Sequence, residues 1–499
     1  MKKTTKTIII ALSSVAVLTG VLLLVKFVVP ENVGEDTSSA SVETVTGEEH
    51  IHLISYVPAD IKQIDVENET GRYTLLSDTP KTETTASDGT TSYLTDATVY
   101  TLVGYEDMEL LLGSPDGLAA DCAAVTAVKK VNDGSAKADF GFDSPRAVVT
   151  VTYQSGEKRT ITLGNDADAD KGAYIMLDGD ENVYLAESDS VDGYLMGAME
   201  MLTTDIGKAA TEDSENVFTK MVFGGSLFGE DIVLEYNDNK AYSQSYVITS
   251  PDQTMANEET VTYMVNNVRS LTATKVIAVS PEEEKIAEYG LDKPYVTVEA
   301  EFPDISVSYK ATKPDDEGMF YLLSDGIVYQ MDKNAVPWVN YTYDQMIPNT
   351  VLNPKYVNTE SVIVTAGDEV YEFVVKNDTT TQYNPDDDTD TEITTTTVTC
   401  NGKEIDENNY NIFFQNLTSA QRTGTGEIPQ GKKEILRVKY VSTEGKESEA
   451  VYYEGENRKC PVLINGTLGS TAYESYVSKI LEDLPKIASR CRCRNRRTS

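Results

Sequence analysis

Three aspartates at alternate positions, Asp166, Asp168 and Asp170, have the most ligand-like spacing in the sequence. Alternating carboxylates open an EF-hand loop and give a hard cation such as calcium its oxygens. Gly172, however, falls one place late for the sharp turn of such a loop, and Leu177 stands where the bidentate glutamate belongs. The EF-hand pattern therefore fails, and low-affinity calcium binding by these three aspartates is the only cofactor expectation. Asp178-Gly179-Asp180-Glu181-Asn182 and the cluster Asp386, Asp387, Asp388, Asp390 read as turn chemistry on a solvated surface, with calcium again the alternative.

Catalysis at neutral pH calls for a histidine, an activated cysteine or a tuned carboxylate pair. The two histidines, His50 and His52, stand together at the end of a polar stretch, a poor setting for a buried catalytic base. No Gly-x-Ser-x-Gly elbow, His-Glu-x-x-His helix or phosphate loop occurs. The five cysteines are Cys122, Cys400, Cys460, Cys491 and Cys493, and they form no zinc pattern. Cys400 and Cys460 are the one pair that a folded module could bring together. With 81 acidic residues, a glycosidase pair cannot be singled out, and no catalytic residue is assigned.

Two further constellations repeat. Phe140-Gly141-Phe142-Asp143-Ser144-Pro145 precedes the β-prone run 147–153, and Tyr289-Gly290-Leu291-Asp292-Lys293-Pro294 precedes the run 295–302. A glycine can end a helix in the left-handed conformation, and a proline drives the residue before it into extended geometry. An aspartate between them can bond nearby amides. Gly141, Asp143, Pro145, Gly290, Asp292 and Pro294 are thus read as helix-to-strand punctuation, with a binding site as the alternative. Each motif is followed by two β runs joined at Asp-Gly, at Asp178-Gly179 and at Asp325-Gly326, which predicts hairpins.

The elements positioning these motifs follow from periodicity. Residues 258–271 place Val261, Met264, Val265, Val268 and Leu271 at helical spacing. Residues 281–289 predict a second helix, with Ser280 as N-cap. Residues 409–417 resemble the first of these helices, with strands expected at 435–440 and 450–453 and a closing helix at 473–484. Residues 79–92 read as a polar loop, and 379–397 as a hairpin tip or a threonine-rich strand. The fold expected is α+β: an N-terminal transmembrane helix, then two or three repeated modules, each a helix followed by an antiparallel meander. The divisions are a tip and anchor over 1–30, an acidic stalk over 31–50, modules over 51–210, 211–354 and 355–488 (the last degenerate), and a basic tail over 489–499.

Lys2, Lys3 and Lys6 precede an apolar run from Thr7 to Val29, long enough to span a bilayer. The lysines predict a cytoplasmic N-terminus, with everything after Pro30 outside; a cleaved secretory signal is the competing reading. A net charge of −39 disfavours nucleic acid as a partner.

In its Gly-x-Asp-x-Pro motifs and in the hairpins Gly172…Tyr184 and Gly318…Tyr329, the chain resembles the bacterial family known as domain of unknown function 4340. The resemblance implies an N-terminally anchored extracytoplasmic protein, often encoded beside ABC-transporter subunits of the gliding-motility type. It assigns no catalytic residues. The function expected is therefore non-enzymatic, an accessory component of such a transporter complex. A surface module binding glycan or protein is the alternative, and a wall-acting hydrolase the more remote one.

Overall fold

A computed structural model describes residues 50–85, 91–131, 137–167, 172–211, 218–384, 389–428 and 430–489. The anchor and stalk expected over 1–49 and the basic tail lie outside the described residues. Among the described residues no helix is long and apolar enough to cross a membrane.

From Ile51 onward the chain folds into strand-rich α+β structure dominated by three large antiparallel sheets of eight, nine and nine strands. The first runs, edge to edge, Val99–Leu102, Gly71–Asp78, Ile61–Asn68, Ala147–Tyr153, Lys158–Asp166, Ala173–Leu177, Val183–Ala186 and Lys129–Val131. The second runs Thr254–Met255, Tyr246–Ser250, Ile232–Tyr236, Lys220–Gly224, Val296–Glu301, Ser306–Ala311, Met319–Ser324, Ile327–Asp332 and Lys275–Val279. The third runs Lys403–Ile405, Thr389–Cys400, Glu369–Asn384, Thr359–Ala366, Glu434–Ser442, Glu447–Tyr453, Lys459–Ile464, Leu468–Tyr473 and Arg422–Thr425. The order is the same in all three. A meander grows outward from a central strand, a helix follows, a short strand crosses to the far edge, and a second meander starts beside the central strand and grows out to meet it.

The interrupting helices are Ser114–Ala123, Glu258–Asn266 and Glu407–Thr418. This corrects the expected order of helix then meander: each helix sits between two meanders. The strands ahead of it alternate buried and half-exposed residues without a distinctive turn between them. Ile61, Ile64 and Val66 face the core of the first sheet, and on its neighbour so do Ala147, Val149, Val151 and Tyr153.

Helix extents also differ from expectation. The helix at Glu258 starts at an Asn257 cap, whose Oδ1 accepts the Thr260 amide at 3.3 Å, but it ends at Asn266. Leu271 belongs instead to the strand Ser270–Thr272, so its helical spacing was fortuitous. Ser280 is no N-cap; its φ is +47°, its amide donates to Gly326 O, and the helix starts at Glu283. The closing helix spans Glu474–Ser489.

The last carbonyls of the three interrupting helices would be orphaned in an apolar interior, and aromatic side chains satisfy them. Tyr153 and Tyr194 hydroxyls donate to Cys122 O and Asp121 O at 3.2 and 2.8 Å. Trp338 Nε1 and Tyr309 Oη donate to Asn267 O and Val268 O at 3.0 and 2.9 Å. Tyr476 Oη donates to Leu417 O at 2.8 Å. Much of the tyrosine content is thus core with a polar tip.

The segment leading into each sheet pairs with the segment just after its helix: Ile51–His52 with Thr126–Ala127, Asp205–Gly207 with Ser270–Thr272, and Thr350 with Gln421. Two buried arginines reinforce the later junctions. Arg269 donates to Lys208 O at 3.0 Å and to Asp304 Oδ2 at 2.7 Å. Arg422 donates to Pro348 O at 2.8 Å, Ser470 Oγ at 3.0 Å and Asp344 Oδ1 at 2.9 Å.

The stretch 79–92, expected as a loop, instead contributes the two-stranded ribbon Lys81–Thr85 with Thr91–Thr95. The threonine-rich stretch 379–397 is both arms of a longer ribbon, paired from Phe373–Cys400 out to Asn384–Thr389, well past the last partner on the neighbouring strand at Val374.

Candidate functional site

The repeated glycine-aspartate-proline motifs are punctuation. Gly290, at φ +79°, donates to Ala287 O at 2.9 Å while Leu291 N reaches back to Ile286 O at 3.0 Å, a Schellman termination of the helix Glu283–Glu288. Leu291 is buried, and the strand begins two residues past Pro294, at Val296. Gly141, at φ +86°, ends the 3-10 turn Lys137–Phe140 with its amide on Ala138 O at 3.1 Å, and the strand at Ala147 follows Pro145. Asp143 and Asp292 are exposed, and neither makes the backbone hydrogen bond expected of it.

Of the calcium candidates, Asp166 is exposed and ion-paired with Arg146, while Asp168 and Asp170 lie outside the described residues. Asp180 does turn chemistry: it accepts from Tyr184 Oη at 2.7 Å and Asn182 N at 2.9 Å, and these bonds hold its carboxyl below the usual range. Asp386, Asp387 and Asp388 lie outside the described residues. Among the described residues no group of three or more histidines, cysteines or carboxylates is placed to hold a metal.

Cys122, Cys400 and Cys460 are buried free thiols. Cys400 and Cys460 sit on strands five spacings apart in the third sheet, about 24 Å at the usual strand separation, so the bridge considered for them does not form.

The cavity worth attention lies where no motif pointed. A cleft of 670 Å³ opens between the exposed face of the second sheet, at Ile232–Tyr236, Tyr246–Ser250 and Thr254–Met255, and the third sheet, at Glu434–Ser442 and Glu447–Tyr453. Polar struts pin it. At one end Lys446 pairs with Asp238, and nearby Lys240 pairs with Glu444 at 2.5 Å. At the other, Gln253 N donates to Thr467 Oγ1 at 2.7 Å and Asn465 Nδ2 to Gln253 O at 3.0 Å. Tyr242 Oη and Ser448 Oγ meet at 2.5 Å where both are buried.

Turn geometry delivers these groups. Asn237 accepts the Asn239 amide at 2.9 Å and donates to Gln244 O at 2.7 Å, which folds the connection between two strands over toward the third sheet. Asn465 and Gly466, at φ +48° and +76°, are the central residues of the turn closed by Thr467 N on Ile464 O at 3.1 Å, in the three-residue connection between Lys459–Ile464 and Leu468–Tyr473. That Asn-Gly signal stands in the same relative place as Asp325-Gly326 and is the one cue that could have marked this wall in advance. The cleft's charges are mostly spent on one another: Lys439 pairs with Glu447 at 2.7 Å, and behind the wall Arg437 pairs with Glu449 at 2.8 Å.

No curated protein and no solved structure matches the chain. A family profile does match, over residues 113–220 and 247–432, which takes in the second meander of the first sheet, both Gly-x-Asp-x-Pro motifs and the helix of the third sheet. On that match, which spans more than half of its length, the chain belongs to the family described as domain of unknown function (DUF4340).

Proposed function

We propose that this protein is a non-enzymatic, membrane-anchored extracytoplasmic scaffold, built of three copies of one module over 51–210, 211–354 and 355–488, that serves an ABC-transporter complex of the gliding-motility type. The observation that carries this reading is a braced stack with projecting ribbons. Segments between sheets are tied down by Arg269 and Arg422, while the ribbons at 81–95 and 376–397 reach out beyond the sheets they spring from. A two-stranded ribbon leaves backbone donors and acceptors unpaired on its outer edges, which suits docking by strand addition to a membrane-protein partner. The apolar run 7–29 supplies the anchor, with the N-terminus cytoplasmic and the bulk outside.

Co-purification of the tagged full chain from mild detergent is expected to bring transporter subunits with it; their consistent absence would overturn the assignment. Protease added to intact cells is expected to digest the bulk of the chain, and protection of that bulk would reverse the topology.

A further inference from the structure

We propose that the open edge of the first sheet, along Val99–Leu102, takes an extended segment of another protein as an added antiparallel strand, one with alternating apolar side chains between lysine or arginine flanks. This surface is separate from the projecting ribbons, and the inference does not rest on the transporter role.

In the second and third sheets a fourth strand closes the first meander. Thr254–Met255 pairs with Val247 and Ile248, Lys403–Ile405 pairs with Val398–Cys400, and each runs straight into a helix cap, Asn257 or Asp406. In the first sheet the third strand, Val99–Leu102, is the last of its meander, so that sheet has eight strands where the others have nine. The chain turns away instead: Tyr105 N donates to Leu102 O at 3.0 Å, Met108 N donates to Tyr105 O at 3.0 Å, and Leu110 pairs with Leu202.

The edge left beside this turn can bond. Val103 N donates to Thr74 O at 2.9 Å, so Val99, Thr101 and Val103 direct their amides and carbonyls toward Gly71–Asp78, while Tyr100 and Leu102 direct theirs outward. With Leu102 O taken by Tyr105, the groups Tyr100 N, Tyr100 O and Leu102 N have no backbone partner among the described residues. Sheet edges are ordinarily guarded by charge or by shortness. Lys129 and Lys130 stand on the opposite edge of this sheet, Lys275 and Arg422 on the far edges of the other two, and Thr254–Met255 is two residues long. Val99–Leu102 carries no charge.

The side chains around the edge set the character of the incoming strand. On the outer face Val99 and Val103 are 57% and 45% exposed, and Leu76, opposite Thr101 and diagonal to both, is 40% exposed. They form an apolar strip for every second side chain of an added strand. Between Lys81 and Lys129 the sequence has no basic residue, and the exposed Asp96, Glu106, Asp107 and Glu109 flank the strand along the chain. Basic flanks on the incoming segment answer those carboxylates. A second copy would bring identical acidic stretches together in a chain of net charge −39, which disfavours self-pairing.

The test is fluorescence anisotropy on the full chain in detergent with the labelled peptide Lys-Lys-Val-Thr-Val-Thr-Val-Lys-Lys, followed by amide hydrogen exchange. The peptide is expected to bind with a Kd below about 1 mM. At saturation it should slow exchange of the Tyr100 and Leu102 amides about tenfold or more and leave the Lys129–Val131 edge unchanged. A version with proline at both threonine positions keeps the charge but loses the donors that face the edge, and a glutamate-flanked version reverses the charge. Both are expected to bind about tenfold more weakly or worse. Val99→Lys, at an exposed position, is expected to weaken binding about tenfold with the thermal unfolding midpoint unchanged. No binding, equal binding of the proline or glutamate version, binding untouched by Val99→Lys, or binding that leaves the Tyr100 and Leu102 amides unprotected would overturn the proposal. So would protection of those amides in the free chain that disappears on dilution, which would give the edge to a second copy.

Discussion

Replacing Arg422 with alanine should loosen the third sheet from the second without disturbing the first. The Arg422 side chain is only 3% exposed, and it gives two hydrogen bonds to interior acceptors, Pro348 O at 2.8 Å and Ser470 Oγ at 3.0 Å. Its third bond goes to Asp344, whose side chain is 56% exposed. Hydrogen bonds from a charged donor to buried acceptors are worth about 1.5–3 kcal/mol each, whereas an ion pair open to water is worth about 0.5 kcal/mol. Both bonds are only part-buried, so the low end of that range applies, and the substitution should cost about 3–4 kcal/mol, two to three orders of magnitude in the local opening constant. Amide hydrogen exchange on the full chain reads this directly. The Val351 amide, bonded to Ala420 O, and the residue-422 amide, bonded to Asn349 O, should exchange about a hundredfold to a thousandfold faster. Amides of Ala147–Tyr153 in the first sheet should not change. Asp344→Asn should leave all of them within about threefold of the parent. The reasoning fails if Asp344→Asn is as damaging as Arg422→Ala, or if the first sheet loosens equally.

The two motif glycines should behave differently on substitution by alanine. At Gly290 a Cβ meets nothing closer than Thr312 Cγ2 at 3.8 Å, so only the positive φ penalises it, by about 1–2 kcal/mol. At Gly141 the Cβ would press into the Asn165 side chain and lie 2.9 Å from Asn165 N, so denaturant unfolding should show a distinctly larger loss. Tyr309→Phe strands the Val268 carbonyl and should cost about 1–3 kcal/mol; Tyr410→Phe removes a buried hydroxyl with no partner among the described residues and should cost nothing in the same melt. Burial, with the Asp192 charge adding, pushes Asp121 up to about 6. A carboxyl raised in the folded state stabilises while protonated, so the first sheet should lose stability as pH climbs from about 4 through about 6. Asp121→Asn should flatten that slope, and an unchanged pH profile would refute the assignment.

Local chemistry was legible where one residue decides a backbone conformation. Asp325-Gly326 marked its hairpin because both positions take positive φ, +48° and +77°, and Gly290 marked a helix end for the same reason. The third sheet lacks the Gly-x-Asp-x-Pro signature yet repeats the strand order of the other two, which shows that the motif ornaments this topology without being required for it. Periodicity misled at Leu271 because three-and-four spacing over a short stretch also fits a helix running into a strand. The cleft was invisible for a different reason. Glu235 and Glu449 are far apart in the chain and carry no motif, and the docking of the Asn237–Asn239 turn, together with the Gln253–Thr467 and Tyr242–Ser448 bonds, brings their walls together.

The central position of each sheet's earliest strand bears on how the protein folds while the chain is being made. Ile64 finds its outer neighbour Leu75 at once but must wait for Val151; Val222 waits likewise for Glu299, and Val362 for Tyr440. During that interval a long, apolar, half-formed sheet stands with one flank open, the kind of surface that recruits a stray strand from another nascent chain. Synthesis from the N-terminus, one module at a time, limits how many such flanks coexist. Slowed or interrupted synthesis should thus produce aggregates seeded from the first half of a module.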